Sequence, residues 1–282
     1  MAWIRIIFLT CMALLAFAAN SLLCRLALAG EHIDAASFTL IRIVSGAVLL
    51  CVLALARRQS VLRAGSWRSA LALVVYAAGF SFSYLHLSAG LGALILFGAV
   101  QVTMIGYGVW SGERLGGYRG AGLLLAGSGL VWLLLPGLSA PSLAGASLML
   151  LAGVAWGVYS LRAKGTQAPL LATAGNFLRA VPLILAVSLF FVHRMQWDGA
   201  GIVYALLSGA LASGVGYAVW YAVVPALKSA TAATVQLVVP VIAAIGGVLF
   251  LQEALTLRLL IASMAILGGI ALVVLLPEKR NA

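Results

Sequence analysis

The stretch SATAATVQLVVPVIAAIGGVLFL, residues 229–251, carries no charged side chain and lies between Lys228 and the Gln252-Glu253 pair. A helix needs about 20 mostly apolar residues to cross the hydrocarbon core of a bilayer. The stretch has that length and that composition. It therefore predicts a membrane-spanning helix, and the rest of the chain repeats its character.

Apolar runs of this kind fill the chain. Of its 282 residues, 64% are hydrophobic and 8% are charged, with a mean hydropathy of +1.16, whereas a soluble domain is about 25% charged. Gly, Pro and charged residues separate the runs, which predicts an all-α membrane protein with no room for a soluble domain. The short connections predict that consecutive helices are antiparallel neighbours. The ten expected transmembrane helices are residues 6–28, 35–56, 69–88, 91–110, 120–135, 143–161, 170–192, 202–221, 229–251 and 259–276.

The first apolar run has a second interpretation, because it follows Arg5 as the core of a cleavable signal peptide would. Its apolar character extends to Leu28, well beyond the about 7–15 residues of a signal core. We therefore expect this run to be a membrane span.

The chain has 17 basic and 6 acidic residues, a formal net charge of +11. A nucleic-acid partner would require a basic face on a folded surface, whereas these bases lie in short gaps between apolar runs. Basic residues accumulate in cytoplasmic loops. With both termini in the cytoplasm, twelve bases fall on that side, three on the other and two, Arg42 and Arg179, within spans. The acidic residues expected on the outer side are Glu31, Asp34, Asp198 and Glu253.

The two halves of the chain resemble each other. Glu113 and Glu253 follow the fourth and ninth expected helices at an offset of 140 residues, and Arg42 and Arg179 match at an offset of 137. Single matches arise by chance in a sequence rich in Leu, Ala and Gly, but Glu and Arg are rare here. Five helices per copy predict that the second copy is inserted in the opposite sense, which is a recurring architecture of transporters. The two predicted units are residues 1–136 and 137–282.

Several short motifs resemble an EamA-type repeat of the drug/metabolite transporter (DMT) superfamily. They are Trp220-Tyr221, Pro225-Ala226-Leu227, Ser229-Ala230, Ala232-Ala233, Pro240-Val241 and Leu251-Gln252-Glu253. The first half is similar to a more divergent copy, and within the superfamily the sequence looks most like YddG-type aromatic amino acid exporters. The resemblance implies a 5+5 inverted repeat and export of amino acids or related metabolites across a bacterial inner membrane. One departure is Val100, which stands where a mirror of Pro240 is expected, so a proline kink in the ninth helix lacks its counterpart.

Polar side chains within spans are the first candidates for substrate contact, since each is costly in hydrocarbon unless it faces protein or water. Gln101 and Gln236 lie on segments that the resemblance places around a central cavity. A carboxamide both donates and accepts, so it can bind a carboxylate or an ammonium group. Asn20 is a similar candidate. The alternative for all three is a hydrogen bond between helices.

Aromatic side chains are the second group of candidates. Trp156 and Tyr159 lie one turn apart on the sixth expected helix, and Trp220 and Tyr221 lie at the end of the eighth. Aromatic faces suit an aromatic or aliphatic substrate. The alternative is an interfacial aromatic belt, and Tyr84 is a weaker candidate.

Charged residues near or within the spans are assigned structural or gating roles. A central arginine suits a substrate carboxylate, but the matched positions of Arg42 and Arg179 favour anchoring of the second and seventh helices. Glu113 and Glu253 are expected to pair with a nearby Arg or to cap the next helix, with a gate as the alternative. Pro240 completes this group.

The sequence lacks the motifs of an ATP-driven pump and of common membrane enzymes. The sequence contains no GxxxxGK[ST] phosphate loop, no mid-span Asp and no GxSxG serine site, and its three cysteines lack metal-type spacing. We therefore expect a carrier rather than an enzyme, with no cofactor, no nucleic acid and no obligate protein partner, only membrane lipids and its amino acid substrate. Without a buried carboxylate, export down the substrate's gradient is the simplest mechanism. The alternatives are a multidrug or small-metabolite efflux carrier and, in another class, a lipid flippase or membrane enzyme.

Overall fold

The computed structural model describes residues 2–112, 117–135, 140–163, 166, 168–223, 226–227 and 235–275. In these segments the prediction of an all-α fold with ten helices is confirmed, apart from a short 3-10 turn at Val192–Arg194. Seven of the described helices are long and apolar enough to cross a membrane, and α5 and α9 are shorter apolar helices. The helices are α1 (Ala2–Ala29), α2 (Ala35–Ala56), α3 (Trp67–Ser83), α4 (Ala89–Trp110), α5 (Gly117–Leu134), α6 (Leu143–Ala163), α7 (Pro169–Leu189), α8 (Gly199–Val223), α9 (Val238–Leu251) and α10 (Leu257–Leu275).

Polar side chains mark where several helices begin. Asp34, Ser66 and Asp198 each accept a hydrogen bond from a backbone N–H in the first turn of the helix that follows, α2, α3 and α8 respectively. Such a bond satisfies an N–H group that has no partner within the helix. These short polar residues therefore fix the starts of helices whose bodies are almost entirely apolar.

The most extensive packing joins helices that are distant in the sequence. The prediction that consecutive helices are neighbours therefore holds only in part, since α2 packs on α3 but more extensively on α7. α5 packs on α10, α3 and α4 on α6, α2 on α7 and α8, and α9 on α4. Small residues make the crossings close: a Cβ on Gly122 would lie 2.6 Å from the Gly269 carbonyl oxygen, and a Cβ on Gly269 would lie 2.5 Å from that of Gly122. Such contacts let two helix backbones approach without interlocked side chains.

The connections on one side of the bundle, here called the acidic end, are joined to each other. Ile33 and Trp197 form an antiparallel bridge between the α1–α2 and α7–α8 connections. The backbone N–H of Asp34 donates to the Gln196 carbonyl at 3.0 Å, and the Gln196 N–H returns a bond to the Asp34 carboxylate at 3.0 Å. His32 Nδ1 lies 2.7 Å from an Asp198 carboxylate oxygen. The two loops are thus held together by both backbone and side-chain contacts.

The opposite side, here called the basic end, contains the α2–α3 connection, residues 57–66. Arg179 of α7 donates to the carbonyls of Leu62 and Ala64, and Asn176 accepts from the Ser66 N–H at 2.8 Å. A Cβ on Gly175 would lie 2.0 Å from the Ala64 carbonyl oxygen. The loop therefore packs directly on the α7 backbone, and its carbonyl groups are satisfied by α7 side chains.

Helix α8 contains a π-helical segment at Leu207–Val215. Hydrogen bonds in a π-helix join residues five apart, so residues i and i+5 lie one above the other. In an α-helix, with 3.6 residues per turn, the same two residues point about 140° apart. The segment therefore brings Ser208 and Ser213 to one face of α8, where both are buried.

The chain leaves helical geometry at Leu237, just before α9 and close to Pro240, whereas α4 has no such break. Residues 235–236 are helical, Leu237 is in a turn, and the described α9 begins at Val238. Pro240 thus lies in the first turn of α9, not in the middle of a longer helix, because it has no N–H to bond the Gln236 carbonyl. Helix α4 runs without interruption through Val100. The difference expected between these two helices is present in the structure.

Candidate functional site

A cavity lies where α1, α3, α4, α6 and α8 meet. Its volume is about 20 Å³, room for about one water molecule, whereas ligand pockets measure roughly 300–1,000 Å³. The surrounding helices must therefore separate before a ligand that needs such a volume fits. The lining residues are Phe17, Asn20, Ser21, Tyr76, Phe80, Leu96, Phe97, Trp156, Ala212 and Tyr217.

Aromatic rings from several helices form a continuous cluster around this cavity. The Trp156 ring centroid lies 4.8 Å from that of Tyr76, 5.0 Å from that of Tyr217 and 5.3 Å from that of Tyr159. Phe17 packs edge-on against Tyr217 with its centroid at 6.0 Å. Flat apolar surfaces thus face the cavity from four helices, which suits a flat or apolar ligand.

Arg42 of α2 is buried beside this cluster, with 2% of its surface exposed. Its guanidinium carbon lies 4.7 Å from the centroid of Phe80 and 5.1 Å from that of Tyr76. Nη2 donates to the Tyr76 hydroxyl at 2.9 Å, and Nε makes a longer bond of 3.4 Å to Ser213 Oγ. Nη1 is buried without a hydrogen-bond partner. None of the carboxylates in the described segments forms an ion pair with this cation.

Asn20 connects α1 with the same network. Its Nδ2 donates to the Tyr76 hydroxyl at 3.3 Å, and its Oδ1 accepts from Ser208 Oγ at 2.6 Å. The Tyr76 hydroxyl therefore accepts from both Asn20 and Arg42. Since Ser208 and Ser213 share one face of α8 only in the π-helical geometry, that segment supplies both serine contacts.

An ion pair at the acidic end joins α1 to the α9–α10 connection. Arg25 Nε lies 3.1 Å from Glu253 Oε1, and Arg25 Nη1 donates to the Tyr84 carbonyl at 2.7 Å. The other carboxylate oxygen of Glu253 accepts from the Ala89 N–H at 2.8 Å, a favourable place for an anion because it is the N-terminus of α4. This latch, Arg25 with Glu253, ties α1 to α3, α4 and the α9–α10 connection.

Arg25 also lines a second pocket of about 540 Å³ that opens at the acidic end. Arg194 and the acidic residues Glu31 and Asp34 line this pocket as well. Ser21 lies one helical turn before Arg25 on α1 and faces the central cavity. The latch is therefore placed between the central cavity and the end pocket.

The structure brings part of the predicted substrate site together. Asn20 and Trp156 line the cavity, Tyr159 stacks on Trp156, and Trp220 packs on the cavity residue Phe17 with centroids at 5.8 Å. Gln101 is buried on α4, one turn beyond the cavity residue Phe97 and therefore on the same face.

Three further predicted residues lie away from the cavity lining. Tyr84 is fully buried at the end of α3, and its hydroxyl donates to the Ala89 carbonyl at 3.2 Å. Tyr221 is partly buried and packs against the hydrophobic core. Gln236 is partly buried next to the interruption at Leu237. Their roles in substrate binding stay predictions.

The predicted structural residues have different environments. Arg42 is central and buried, whereas the matched Arg179 is partly exposed and donates to backbone carbonyls at the basic end. Glu253 pairs with Arg25 and binds the start of α4, although the sequence pointed to the next helix in the chain, α10. Glu113 lies outside the described residues. A gating role for Pro240 and for these charged residues stays a prediction.

Sequence reasoning missed the residues that hold Arg42 and shape the cavity. Tyr76 and Phe80 were not selected, because single aromatic residues in an apolar helix are most often ordinary core. Ser208 and Ser213 gave no signal, since only the π-helical segment turns both inward. Tyr76 and Phe80 are four residues apart and therefore lie on one face of α3. The hydroxyl of Tyr76 was the available sign in the sequence that this face carries a polar group.

These features define a class: an integral membrane protein whose apolar helices surround a polar and aromatic interior. Residues 143–275 match the family described as the EamA-like transporter family, and the chain belongs to this family. It is a membrane transporter of the DMT type.

Two comparisons extend over nearly the whole chain. An uncharacterised protein of Pseudomonas aeruginosa is 56% identical over 270 residues, which cover 95% of this chain and 94% of that protein. A solved crystal structure superposes with a TM-score of 0.68 at 19% identity, covering 95% of this chain and 96% of the other. The structural likeness concerns the fold alone. The narrower resemblance to YddG-type exporters stays a prediction.

Proposed function

We propose that the protein is an exporter of aromatic and other neutral amino acids that works by alternating access across the bacterial inner membrane. The observation that carries the proposal is the central cavity, where the rings of Trp156, Tyr76 and Tyr217 meet the amide of Asn20. Flat rings suit the substrate side chain, and the amide can bind its polar groups. The small volume of the cavity is expected of a transporter state in which the helices are closed around the central site.

The packing of the helices supports a 5+5 inverted repeat of residues 1–136 and 137–282. If α1 to α5 correspond to α6 to α10, then the pairs α2–α7, α4–α9 and α5–α10 each join a helix to its own counterpart, and all three pairs pack together. The contacts α3–α6 and α4–α6 likewise have counterparts in α8–α1 and α9–α1. Two such units can rock against each other around a central site.

The distribution of charge supports cytoplasmic termini. The acidic end holds Glu31, Asp34, Asp198 and Glu253, whereas the α2–α3 connection at the basic end holds three arginines within residues 57–66. By the positive-inside rule the basic end faces the cytoplasm. Export then runs from the basic end to the acidic end.

The described acidic residues all lie at the acidic end, and none lies in the middle of a described helix. A proton relay through the membrane ordinarily uses such carboxylates. Movement of the substrate down its own gradient is therefore the mechanism that the described residues favour. A buried cation, Arg42, also disfavours cationic drugs as substrates.

Flux through purified protein tests the proposal. Proteoliposomes loaded with radiolabelled phenylalanine or threonine should lose label faster than protein-free liposomes, and unlabelled substrate should compete. Trp156→Ala should lower phenylalanine flux about tenfold, since an aromatic pair contributes about 0.5–1.5 kcal/mol beyond its buried area. Trp110→Ala is the matched control, because Trp110 is 84% exposed.

The same vesicles separate the alternatives. Lipid scrambling without amino acid flux would assign the protein to the flippases. Efflux of lipophilic cations without amino acid flux would make it a drug carrier. Equal phenylalanine flux in Trp156→Ala and Trp110→Ala would remove the central cavity from the transport path.

A further inference from the structure

We infer that Arg42 binds the carboxylate of the transported substrate and that the substrate class is aromatic monocarboxylates, for which an α-amino group is dispensable. The inference rests on the proposed transport function and deepens it. In this inference the guanidinium of Arg42 contacts the substrate carboxylate, and no anionic residue contacts a substrate ammonium group.

The positive charge of Arg42 is buried and has no ion-pair partner among the described residues. A buried cation is costly unless an anion or several hydrogen bonds compensate for it. Within the described segments no carboxylate forms an ion pair with Arg42, and its Nη1 is buried without a hydrogen-bond partner. The guanidinium therefore retains an unused donor in the middle of a membrane protein. A planar guanidinium presents donors in a fork that matches a carboxylate.

Arg42 lies directly behind the lining of the central cavity. The guanidinium lies against the rings of Tyr76 and Phe80, and both rings line the cavity. The Tyr76 hydroxyl, which accepts from Nη2 at 2.9 Å, occupies one donor that a carboxylate would use. When the helices separate, rotation of the Tyr76 side chain frees Nη2 of Arg42 for a ligand. In the closed state the hydroxyl and the two ring faces partly shield the positive charge.

The described cavity residues offer no anionic partner for a substrate ammonium group. Among the described cavity residues there is no Asp or Glu. The amide oxygen of Asn20 already accepts from Ser208 at 2.6 Å, and the Tyr76 hydroxyl accepts two hydrogen bonds. The described site thus carries one positive charge and aromatic surfaces but no anion, and the neutral hydroxyls of Ser21 and Tyr217 are weaker partners for an ammonium group than a carboxylate is. This combination favours an anion with a flat apolar body.

Substrate analogues test the inference on the unmodified protein. Isothermal titration in detergent and competition for phenylalanine flux in proteoliposomes are measured with 3-phenylpropanoate, phenylalaninamide and phenethylamine. We expect 3-phenylpropanoate to compete within about threefold of phenylalanine. The two compounds without a carboxylate should compete about 30-fold less well or worse, the ratio expected when one partner of a buried charge pair is lost. Equal competition by phenylalaninamide and phenylalanine would overturn the inference.

A variant series assigns the preference to Arg42. In Arg42→Gln the ratio between carboxylate and carboxamide should fall from about 30 towards 1, and Arg42→Lys should restore part of it because the charge is kept. Arg68→Gln is the control, since Arg68 is an exposed arginine at the start of α3. A folded Arg42→Gln protein that kept the full preference would refute the assignment. If that variant does not fold, the analogue panel decides alone.

The outcomes also separate this inference from the proposed function. Phenylalanine flux without a preference for carboxylates would support the proposed export function and refute the role of Arg42. Carboxylate-selective binding without any flux would support the role of Arg42 and refute the proposed export function.

Discussion

At the residue scale, the Tyr76 hydroxyl is the point where three helices meet, because it accepts from Asn20 of α1 and Arg42 of α2. Replacing it in Tyr76→Phe leaves two buried donors without an acceptor. Each unsatisfied buried donor costs about 1–3 kcal/mol. We expect Tyr76→Phe to lower the free energy of unfolding by about 2–6 kcal/mol for the two donors together, measured by thermal melting in detergent.

The control for this variant is Tyr118→Phe, because Tyr118 is 68% exposed. We expect that substitution to leave the melting temperature within a degree or so of the wild type, as most surface substitutions do. Equal melting of the two variants would show that the Tyr76 hydroxyl has no net role in stability.

The sequence predicted part of this site, and the rest depended on packing. Asn20 and Trp156 were identifiable because an amide and an indole are unusual in apolar spans. The environment of Arg42 was not, since sequence matching made it equivalent to Arg179, whereas α2 carries Arg42 into the centre and α7 directs Arg179 to loop carbonyls. A match in sequence specifies the place on a helix but not which neighbours that helix meets.

A second residue-scale prediction concerns pH at the acidic end. The Gly201 N–H, and then His32, donate to the Asp198 carboxylate and hold the pKa of that carboxyl below its ordinary value of 3.8. A depressed pKa stabilises the folded state above the ordinary value, and this contribution is lost as the pH falls through the folded-state pKa. We expect the melting temperature to fall more steeply below about pH 4 in the wild type than in Asp198→Ala. Parallel melting curves of the two proteins from pH 6 to pH 3 would contradict this expectation.

At the element scale, the crossing of α2 and α8 depends on Gly209. A Cβ at this position would lie 2.0 Å from Ser45 Oγ and 2.2 Å from the Arg42 carbonyl oxygen. We expect Gly209→Ala to lower the free energy of unfolding by about 1–3 kcal/mol or more, because overpacking moves backbone. It should also weaken the serine contacts to Arg42 and Asn20.

Gly106→Ala is the matched control within α4, since a Cβ there would meet nothing within 4 Å. Alanine is a better helix former than glycine by about 0.5–1 kcal/mol, so we expect a small gain in stability. Opposite signs for the two substitutions, measured by thermal melting, would support the close crossing. Equal effects would show that the glycines act through helix propensity alone.

The number of helices was predictable because apolar runs and charged gaps follow directly from the cost of polar groups in a bilayer. The internal geometry of α8 was not, because a π-helical segment has no residue signature in Leu207–Val215. The interruption at Leu237 had a clear sign in Pro240, which follows it closely in the same predicted helix. A proline removes the bond to the residue four before it, so the break lies before the proline and not at it.

At the scale of the whole molecule, the latch between Arg25 and Glu253 lies between the central cavity and the pocket at the acidic end. We expect Glu253→Gln to favour opening on that side about 5- to 30-fold, since a charged hydrogen-bonded pair contributes about 1–2 kcal/mol. The measurement is the labelling rate of Ser21→Cys by a membrane-impermeant maleimide in a variant that lacks Cys11, Cys24 and Cys51. Ser21 lines the cavity and is 1% exposed.

Maleimide labelling of Ser21→Cys from the basic end is the control for this measurement. Inside-out vesicles should show no gain in Ser21→Cys labelling when Glu253 is changed. An increase from both sides would mean that the substitution loosens the whole bundle. No increase from either side would show that the latch does not limit access.

The π-helical segment of α8 has a consequence for the timing of the transport cycle. Ser208 and Ser213 reach Asn20 and Arg42 together only while the hydrogen bonds of α8 join residues five apart. A slip of this backbone by one residue into α-helical register would swing the two hydroxyls apart and release both side chains in one movement. Local rewinding of a single helix would thus present the amide and the guanidinium to an arriving molecule simultaneously.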